Sequence, residues 1–142
     1  MKKLILLFIT TSFVLSQNLI WSVDEKYENG NIKEISYHQK SWKKIELVKK
    51  ETYHENGQIK REGNFKDGEL DGKMINYYEN GKKRGEAFFK DGEENGKRIY
   101  YYENGQIGRE GNFKDGKEIS SKCWDEDGNE CECGEKFWEG CK

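Results

Sequence analysis

A polar, glycine-containing phrase returns along the chain at a nearly fixed spacing and limits the folds that the sequence can adopt. The stretch YHENGQIKREGNFKDG, which starts at Tyr53, is repeated from Tyr101 as YYENGQIGREGNFKDG, and a looser copy lies between them. Periods of about 20 to 50 residues are typical of arrays whose units bury their apolar faces against neighbouring units. The sequence therefore predicts a repeat protein with one structural unit per copy.

Two turn phrases divide each unit. The first contains Asn-Gly, or Asp-Gly in an altered last copy, and it recurs at nearly even intervals: Asn29-Gly30, Asn56-Gly57, Asn80-Gly81, Asn104-Gly105 and Asp127-Gly128. The second, Lys-Asp-Gly, recurs with one constant interval: Asp67-Gly68, Asp91-Gly92 and Asp115-Gly116. Both dipeptides favour type I′ hairpin turns, in which both central residues have positive φ. Their alternation predicts two strands per unit.

The expected fold is all-β, an elongated antiparallel β-meander or stack of β-hairpins with units of about 24 residues. No segment of the mature chain shows the apolar period of an α-helix. Charged residues make up 37% of the chain, which raises disorder as an alternative. The aromatic content of 13%, placed periodically, argues against disorder.

Two aromatic columns recur with the repeat and are expected to form a core ladder. One is Tyr53, Tyr77 and Tyr101, with Trp124 one residue early, and the other is Phe65, Phe89 and Phe113. Stacked units would place aromatic beside aromatic, and together they could bury a face that one hairpin cannot. The alternative is that these columns form a platform on which a ligand stacks.

Three further tyrosines are candidates for binding. Tyr78, Tyr100 and Tyr102 fall by strand alternation on the face opposite Tyr77 and Tyr101. An exposed tyrosine cluster suits contact with a protein or a sugar. Solvent-facing cross-strand pairing that only stabilises the sheet explains the same residues, and the pattern does not separate the two.

The N-terminus has the pattern of a signal peptide. Lys2 and Lys3 precede an apolar run that reaches Leu15, and small residues follow. We expect residues 1–16, or up to 22, to be removed, which leaves no transmembrane segment because the run is too short to span a bilayer. The protein is then exported, to the periplasm or outside the cell.

Three further regions follow in the mature chain. Residues 23–52 form a degenerate capping repeat in which Trp42 is expected to cover the end of the core, residues 53–118 form the regular repeats, and residues 119–142 form a cysteine-rich cap. Terminal repeats are commonly atypical because they close the stack.

All four cysteines lie in the C-terminal cap: Cys123, Cys131, Cys133 and Cys141. An even number in an exported chain indicates disulfides. A three-residue turn at residues 127–129 would place Cys123 opposite Cys133 and leave Cys131 for Cys141, whereas a bulge would bring Cys131 to Cys123. A zinc site is the competing interpretation, but the spacing of zinc-binding cysteine pairs is missing. Trp124, Phe137 and Trp138 are expected to cover the open end of the repeats.

Charge and motif content exclude several functions. The formal net charge is −2, and loss of the two N-terminal lysines makes the mature chain more acidic, so nucleic acid is not an expected partner. The acidic run at residues 125–130 lacks the ligand positions of a calcium loop. His38 and His54 lie in no catalytic motif. We expect no enzymatic activity, no metal and no cofactor.

The pattern Tyr-x-Glu-Asn-Gly followed by Phe-x-x-Gly, repeated at the interval of the turn phrases, resembles the MORN-repeat variants. The resemblance is clearest over residues 53–116 and weaker from about 23 to 130. It is closest to the bacterial subclass, many of whose members carry the name YwqK-type antitoxin. The resemblance implies a β-hairpin array with an interaction role and contributes no catalytic residue.

The sequence thus favours an exported, non-enzymatic β-repeat protein that presents an extended surface to an unidentified protein partner. Two alternatives stay open. One is a module that binds a carbohydrate or lipid of the cell envelope, and the other is an antitoxin-like inhibitor of a toxin.

Overall fold

The computed structural model describes residues 18–142, which form one antiparallel sheet of ten strands in chain order. The strands are β1 (Leu19–Lys26), β2 (Ile32–Lys40), β3 (Ile45–Tyr53), β4 (Ile59–Lys66), β5 (Glu69–Tyr77), β6 (Lys83–Lys90), β7 (Glu93–Tyr101), β8 (Ile107–Lys114), β9 (Lys117–Trp124) and β10 (Glu130–Cys131). A short 3-10 turn, Phe137–Glu139, follows the last strand. The expected all-β meander is confirmed.

The two turn phrases form different turns. Asp67 and Gly68 have φ values of 51° and 89°, as a type I′ turn requires, and the equivalent Asp-Gly pairs behave alike. At Asn56-Gly57 only the glycine has positive φ, 84°. Asn56 Oδ1 accepts a hydrogen bond of 2.9 Å from the Gln58 backbone amide, which holds a three-residue loop. The Asn-Gly turns therefore differ from the type I′ turns that the dipeptide predicts.

The two faces of the sheet follow from the strand register. One face, which we call the cap face, carries a row that runs through Gly63, Met74, Ala87, Arg98 and Gly111 on successive strands. The other, which we call the ladder face, carries a row of Glu51, Glu62, Ile75, Glu86, Ile99 and Glu110. Few side chains are fully buried, because a single layer has no second sheet against which to pack.

The expected core ladder is divided between these faces. Phe113 lies on the cap face, where the Arg98 guanidinium sits 5.6 Å from its ring centre, and Phe65 and Phe89 follow the same alternation. Tyr53, Tyr77 and Tyr101 lie on the ladder face, as does Trp124. A bulge in each unit, such as the one at Arg84, where Asn76 lies opposite Gly85 but Tyr77 lies opposite Lys83, moves the residues that follow it to the other face. The two columns consequently form no common core.

The N-terminal end of the sheet also differs from expectation. Residues 1–16 lie outside the described residues, and β1 already begins at Leu19, ahead of the boundary expected at 23. Trp42 is 89% exposed in the turn between β2 and β3, with Lys43 Nζ 4.5 Å from its ring centre. The assignment of Trp42 as a cover for the core is wrong, because the turn carries it beyond the strands.

The C-terminal segment folds onto the cap face. The structure pairs Cys123 with Cys133 and Cys131 with Cys141, at Cα separations of 5.2 and 5.7 Å. The register, however, sets Cys123 opposite Cys131, because the turn is the same three-residue loop as in the earlier units. Cys133 reaches Cys123 only because the chain bends after β10.

The aromatic residues of the cap cover a face of the sheet rather than its open end. Phe137 is buried against Phe113, with ring centres 5.7 Å apart, while Trp138 remains 55% exposed. Arg109 of β8 holds the C-terminal segment against the cap face, because its Nη1 donates to the carbonyl oxygens of Gly134 and Lys136 at 2.9 and 3.2 Å.

Candidate functional site

The ladder face is a network of tyrosine, glutamate and lysine side chains that satisfy one another. Glu51 is buried and accepts hydrogen bonds from the hydroxyls of Tyr37 and Tyr53 at 2.7 and 2.6 Å. Lys49 lies between Glu51 and Glu62, with Nζ 2.8 and 2.7 Å from their carboxylates. The polar groups of this face are therefore already partnered.

The same arrangement recurs in each unit. The Tyr77 hydroxyl donates to Glu62 at 2.6 Å, and Lys73 forms an ion pair with Glu86 at 2.8 Å. Lys97 forms an ion pair with Glu110 at 2.7 Å. Tyrosines of the expected ladder thus support carboxylates of the same face, a role that the sequence did not predict.

Burial and hydrogen bonds within this network shift the pKa values of its tyrosines and glutamates. Burial and the nearby Glu62 carboxylate raise the pKa of Tyr77 to about 12. Hydrogen bonds from Lys49 and Tyr77 lower the pKa of Glu62. Burial acts to raise the pKa of Glu51, but hydrogen bonds from Lys49, Tyr53 and Tyr37 outweigh it and leave that pKa lowered. The carboxylates are consequently ionised at neutral pH.

Two of the three candidate binding tyrosines donate hydrogen bonds to the backbone, and the hydroxyl of the third, Tyr100, accepts from that of Tyr78 at 3.5 Å. The Tyr78 hydroxyl donates to the Tyr101 carbonyl at 2.6 Å, and the Tyr102 hydroxyl donates to the Trp124 carbonyl at 2.9 Å. At the equivalent position His54 Nε2 lies 3.1 Å from the Tyr77 carbonyl. The residue before each Glu-Asn-Gly turn thus connects its unit to the next, whether it is tyrosine or histidine.

Tyr100 is different because its environment breaks the repeat. It occupies the position of Asn76 in the preceding unit, and its ring packs edge-on against Tyr102 with centres 5.4 Å apart. Gly108, where the other units have Lys60 and Arg84, leaves the space: a Cβ there would come within 2.8 Å of both rings. Two departures from the repeat therefore coincide to place one aromatic ring on the cap face.

A groove of about 180 Å³ runs beside Tyr100 along β6. Gly85 and Ala87 of β6 form its floor, since the register sets them between strands β5 and β7. Met74 and Asn76 line the β5 side, and Arg98 and Tyr100 line the β7 side. Phe137 and Trp138 of the cap complete the wall.

Three arginines line this groove: Arg61, Arg84 and Arg98. Arg98 is paired with Glu94 at 2.9 Å and lies 4.4 Å from the Phe137 ring centre. Arg61 donates from Nε to the Asn76 amide oxygen at 2.8 Å. Within residues 18–142, Arg61 and Arg84 form no ion pair. The groove therefore presents guanidinium groups that have no acidic partner in the described chain.

Sequence reasoning found Tyr100 but missed the arginines and placed Trp138 only as a cover. A signal for part of the site was present, because Tyr100 stands where the earlier units have the smaller Thr52 and Asn76, and Gly108 stands where they have a basic residue. No sequence pattern indicated that Trp138 lines the groove, because the cap is not part of the repeat.

Two features of the part of the chain that the structure describes concern its side-chain and helix geometry. Over residues 18–142, no group of three or more His, Cys, Asp or Glu side chains is placed to hold a metal ion. Over the same residues, no helix has the length and apolar character to cross a bilayer. The Asp125 carboxylate instead caps its turn, accepting from the Asp127 and Asn129 amides.

Comparison with known proteins finds a repeat family whose model matches the central strands. Residues 48–67, 70–91 and 94–115 each match the family described as MORN repeat variant. Repeats of this family are generally non-catalytic modules that bind proteins or membranes. The three matched segments cover the strands that line the groove, from the end of β3 to β8. No curated protein matches the chain.

Among solved structures, the chain is similar to part of TarM, with a TM-score of 0.46 and 16% identity over 80% of this chain and 20% of that one. A second match is a point mutant of S. aureus TarM in complex with fondaparinux, alpha-GlcNAc-glycerol and UDP, with a TM-score of 0.42 and 14% identity over 77% and 22% of the two chains. The chain thus spans about a fifth of the length of these proteins.

Proposed function

We propose that this protein is an exported, non-enzymatic binding protein whose cap face receives a protein partner. The observation that carries the proposal is the contrast between the faces. Tyrosine, glutamate and lysine side chains of the ladder face partner one another, whereas the groove on the cap face brings partly exposed aromatic rings together with unpaired guanidinium groups. Tyrosine, tryptophan and arginine are the residues most enriched at energetically important interface positions.

Site-specific photo-cross-linking tests this proposal. A photoreactive amino acid is placed at Asn76 in the groove, and in a matched variant at Lys97 on the ladder face, and each full-length chain is expressed in its organism of origin. We expect discrete cross-linked protein species from position 76 and none from position 97. The proposal fails if position 76 gives no adduct, or if both positions give the same adducts.

Export is supported by two observations, the basic and apolar N-terminus and the two paired sets of cysteines. N-terminal sequencing of protein recovered outside the cytoplasm should begin at Gln17. Cleavage after Ser22 would remove the first half of β1. Alkylation without reduction should label no cysteine, and labelling after reduction should modify all four. Retention of Met1, or four free thiols, contradicts export.

A carbohydrate of the cell envelope is a second candidate ligand, because Tyr100 and Trp138 line the same groove and aromatic rings suit the faces of sugars. Retention on purified envelope glycan should then be lost with Tyr100→Ala and kept with Tyr37→Phe on the ladder face. Retention that survives Tyr100→Ala in a folded protein contradicts this candidate. Inhibition of a toxin, suggested by the name that many members of the resembling subclass carry, would be a particular form of protein binding at the same face.

A further inference from the structure

The groove on the cap face has a chemistry that limits what can occupy it. The polar groups that it offers to a ligand are predominantly hydrogen-bond donors: the terminal nitrogens of Arg61, the Arg84 guanidinium, the Asn76 amide nitrogen and the Tyr100 hydroxyl, which accepts from Tyr78 at 3.5 Å. A guanidinium carries donors only, so a ligand must supply the acceptors. Carboxylates are the protein groups that match it best, because they accept in pairs and carry the opposite charge.

The acidic side chains near the groove do not neutralise these arginines. Glu94 is held by both of its oxygens to Arg98 at 2.9 and 3.0 Å. Glu86 lies between Gly85 and Ala87 on β6, and its carboxylate is on the opposite, ladder face, where it pairs with Lys73 and Lys83. Arg61 and Arg84 therefore keep their charge available on the cap face.

The shape of the groove favours an extended chain. Its floor follows β6 and carries only the side chain of Ala87, while Gly85 packs so closely that a Cβ would lie 3.0 Å from the Ile99 carbonyl oxygen. The walls stand on β5 and β7, two strand spacings or roughly 10 Å apart. That width accepts one extended peptide lying parallel to β6.

The groove continues past Arg84 and Tyr100 into a second recess of about 350 Å³, which has acidic residues in its lining. Glu103 and Glu126 line this recess together with Asn104. An occupant that crosses both recesses should be acidic beside the arginines and neutral or basic beside these glutamates. The two recesses together thus specify both the composition of the ligand and the direction in which it lies.

We propose that the groove binds an extended acidic segment of a partner protein, which lies along β6 with carboxylates at Arg61 and Arg84, an apolar side chain against Met74 and Trp138, and a neutral or basic end at Glu103. This rests on the proposed function and names the ligand class of the same site. It goes beyond a general interaction role because it fixes the charge, conformation and direction of the ligand.

Fluorescence anisotropy with synthetic peptides tests the proposal on the oxidised, full mature chain. The probe is a fluorescein-labelled peptide EFEFEGSKGS, and its charge-reversed control is KFKFKGSEGS. We expect only the acidic probe to bind. Arg84→Ala and Arg61→Ala should each weaken binding about tenfold, the usual loss for a charge-assisted hydrogen bond. Lys97→Ala on the ladder face should leave binding unchanged.

Salt and competition sharpen the test. Raising NaCl from about 0.05 to 0.5 M should weaken binding at least fivefold or so, because the charges are partly exposed and screened. Equal binding of the charge-reversed peptide, or unchanged binding by a folded Arg84→Ala variant, overturns the proposal. Tighter binding of polygalacturonate, which displaces the peptide, also overturns it and identifies an acidic glycan as the occupant.

The two proposals fail separately. Protein adducts at Asn76 together with no binding of the acidic probe would leave the protein-binding function standing and reject the ligand class. Binding of the probe without protein adducts would identify an anion-binding groove and reject the proposed partner. Circular dichroism of each variant shows whether the fold is kept, and the exposed Arg84 can be replaced with little expected effect on it.

Discussion

The two faces of the sheet are built from the same strands but satisfy their polar side chains in different ways. On the ladder face, tyrosines, glutamates and lysines of neighbouring units bind one another, so Glu51 is buried yet fully partnered. On the cap face, one end is closed by Phe137 and Arg109, while the middle keeps arginines and Tyr100 open in a groove. The difference shows how one repeat can use one face for stability and the other for recognition.

Acid is expected to break the ladder face most completely. The pKa values of Glu51, Glu62 and Glu86 are lowered in the fold from 4.5. A lowered carboxyl pKa adds stability above about pH 4.5, and this contribution is lost as pH falls through the folded values. All three carboxylates act together, so this loss should exceed that from any single substitution below. Urea unfolding between pH 7 and pH 2 measures it.

The free energy of unfolding at alkaline pH tests the contribution of the tyrosines to the same network. Because the pKa of Tyr77 is raised to about 12 from 10.0, its contribution is complete below pH 10 and lost as pH rises through 12. On the acid side, a free energy of unfolding that stays constant from pH 7 to pH 3 would contradict the stabilising role of the ladder-face carboxylates.

Replacing Glu51 with alanine should cause the largest loss of any single substitution. It removes the acceptor of Tyr37 and Tyr53 and one partner of Lys49, which should lower the free energy of unfolding by about 3 kcal/mol. Glu110→Ala in the same row is the matched control, because Glu110 is a third exposed and bonded only to exposed Lys97. Its loss should be below about 0.5 kcal/mol. Equal losses would show that burial in the ladder has no special value.

Removing the Cys123–Cys133 pair should affect the cap face. The double substitution Cys123→Ser with Cys133→Ser opens a loop with a sequence separation of 10, which should lower the free energy of unfolding by about 2.5 kcal/mol. Chemical denaturation under non-reducing conditions measures this. Near-ultraviolet dichroism should also change as Phe137 leaves Phe113. An unchanged cap signal would mean that Arg109 alone holds the segment.

Restoring the repeat at position 108 should close the open part of the cap face. Gly108→Lys copies Lys60 of the equivalent position, and its Cβ would meet the rings of Tyr100 and Tyr102 at 2.8 Å. We expect a loss of about 2 kcal/mol in stability. The reverse change, Lys60→Gly, should cost no more than about 1 kcal/mol in a strand. Thermal unfolding compares them, and similar small losses would argue that Gly108 makes no special room.

The smallest loss of stability is expected at Tyr102, because tyrosine and histidine both hydrogen-bond a backbone carbonyl of the next unit at this position of the repeat. Tyr102→His introduces the residue found at His54, which reaches the carbonyl of the next unit at 3.1 Å. The free energy of unfolding should fall by less than about 1 kcal/mol, whereas Tyr102→Ala loses the ring and the hydrogen bond and should cost more. If Tyr102→His is as damaging as Tyr102→Ala, the hydroxyl is not interchangeable with imidazole.

Much of the fold was accessible from local pattern. The glycines of the turns and the alternation between them predict the meander, because turn geometry and strand period depend on residues close in sequence. The turn type at Asn56 was missed because the side chain of Asn56 stabilises a longer loop than its dipeptide indicates. The pairing of Cys123 with Cys133 was favoured, although the register given as its reason was wrong.

The candidate site was accessible only in part. Tyr78, Tyr100 and Tyr102 could be singled out together, but only the structure shows that the hydroxyls of Tyr78 and Tyr102 donate hydrogen bonds to backbone carbonyls of the following unit. The division of Phe113 and Tyr101 between faces depends on bulges, and one residue of slip moves a side chain to the other side of a sheet.

The units, their strands and their turns follow from the amino-acid sequence alone, since each is specified within a single copy of the repeat. Which face is closed and which stays open depends on contacts between segments that are distant in the chain. That choice depends on the C-terminal segment, which returns across the cap face and is held by Arg109 through carbonyl oxygens 25 and 27 residues later. A strand pattern with a period of two residues distinguishes the two faces but does not say which one a distant segment will cover.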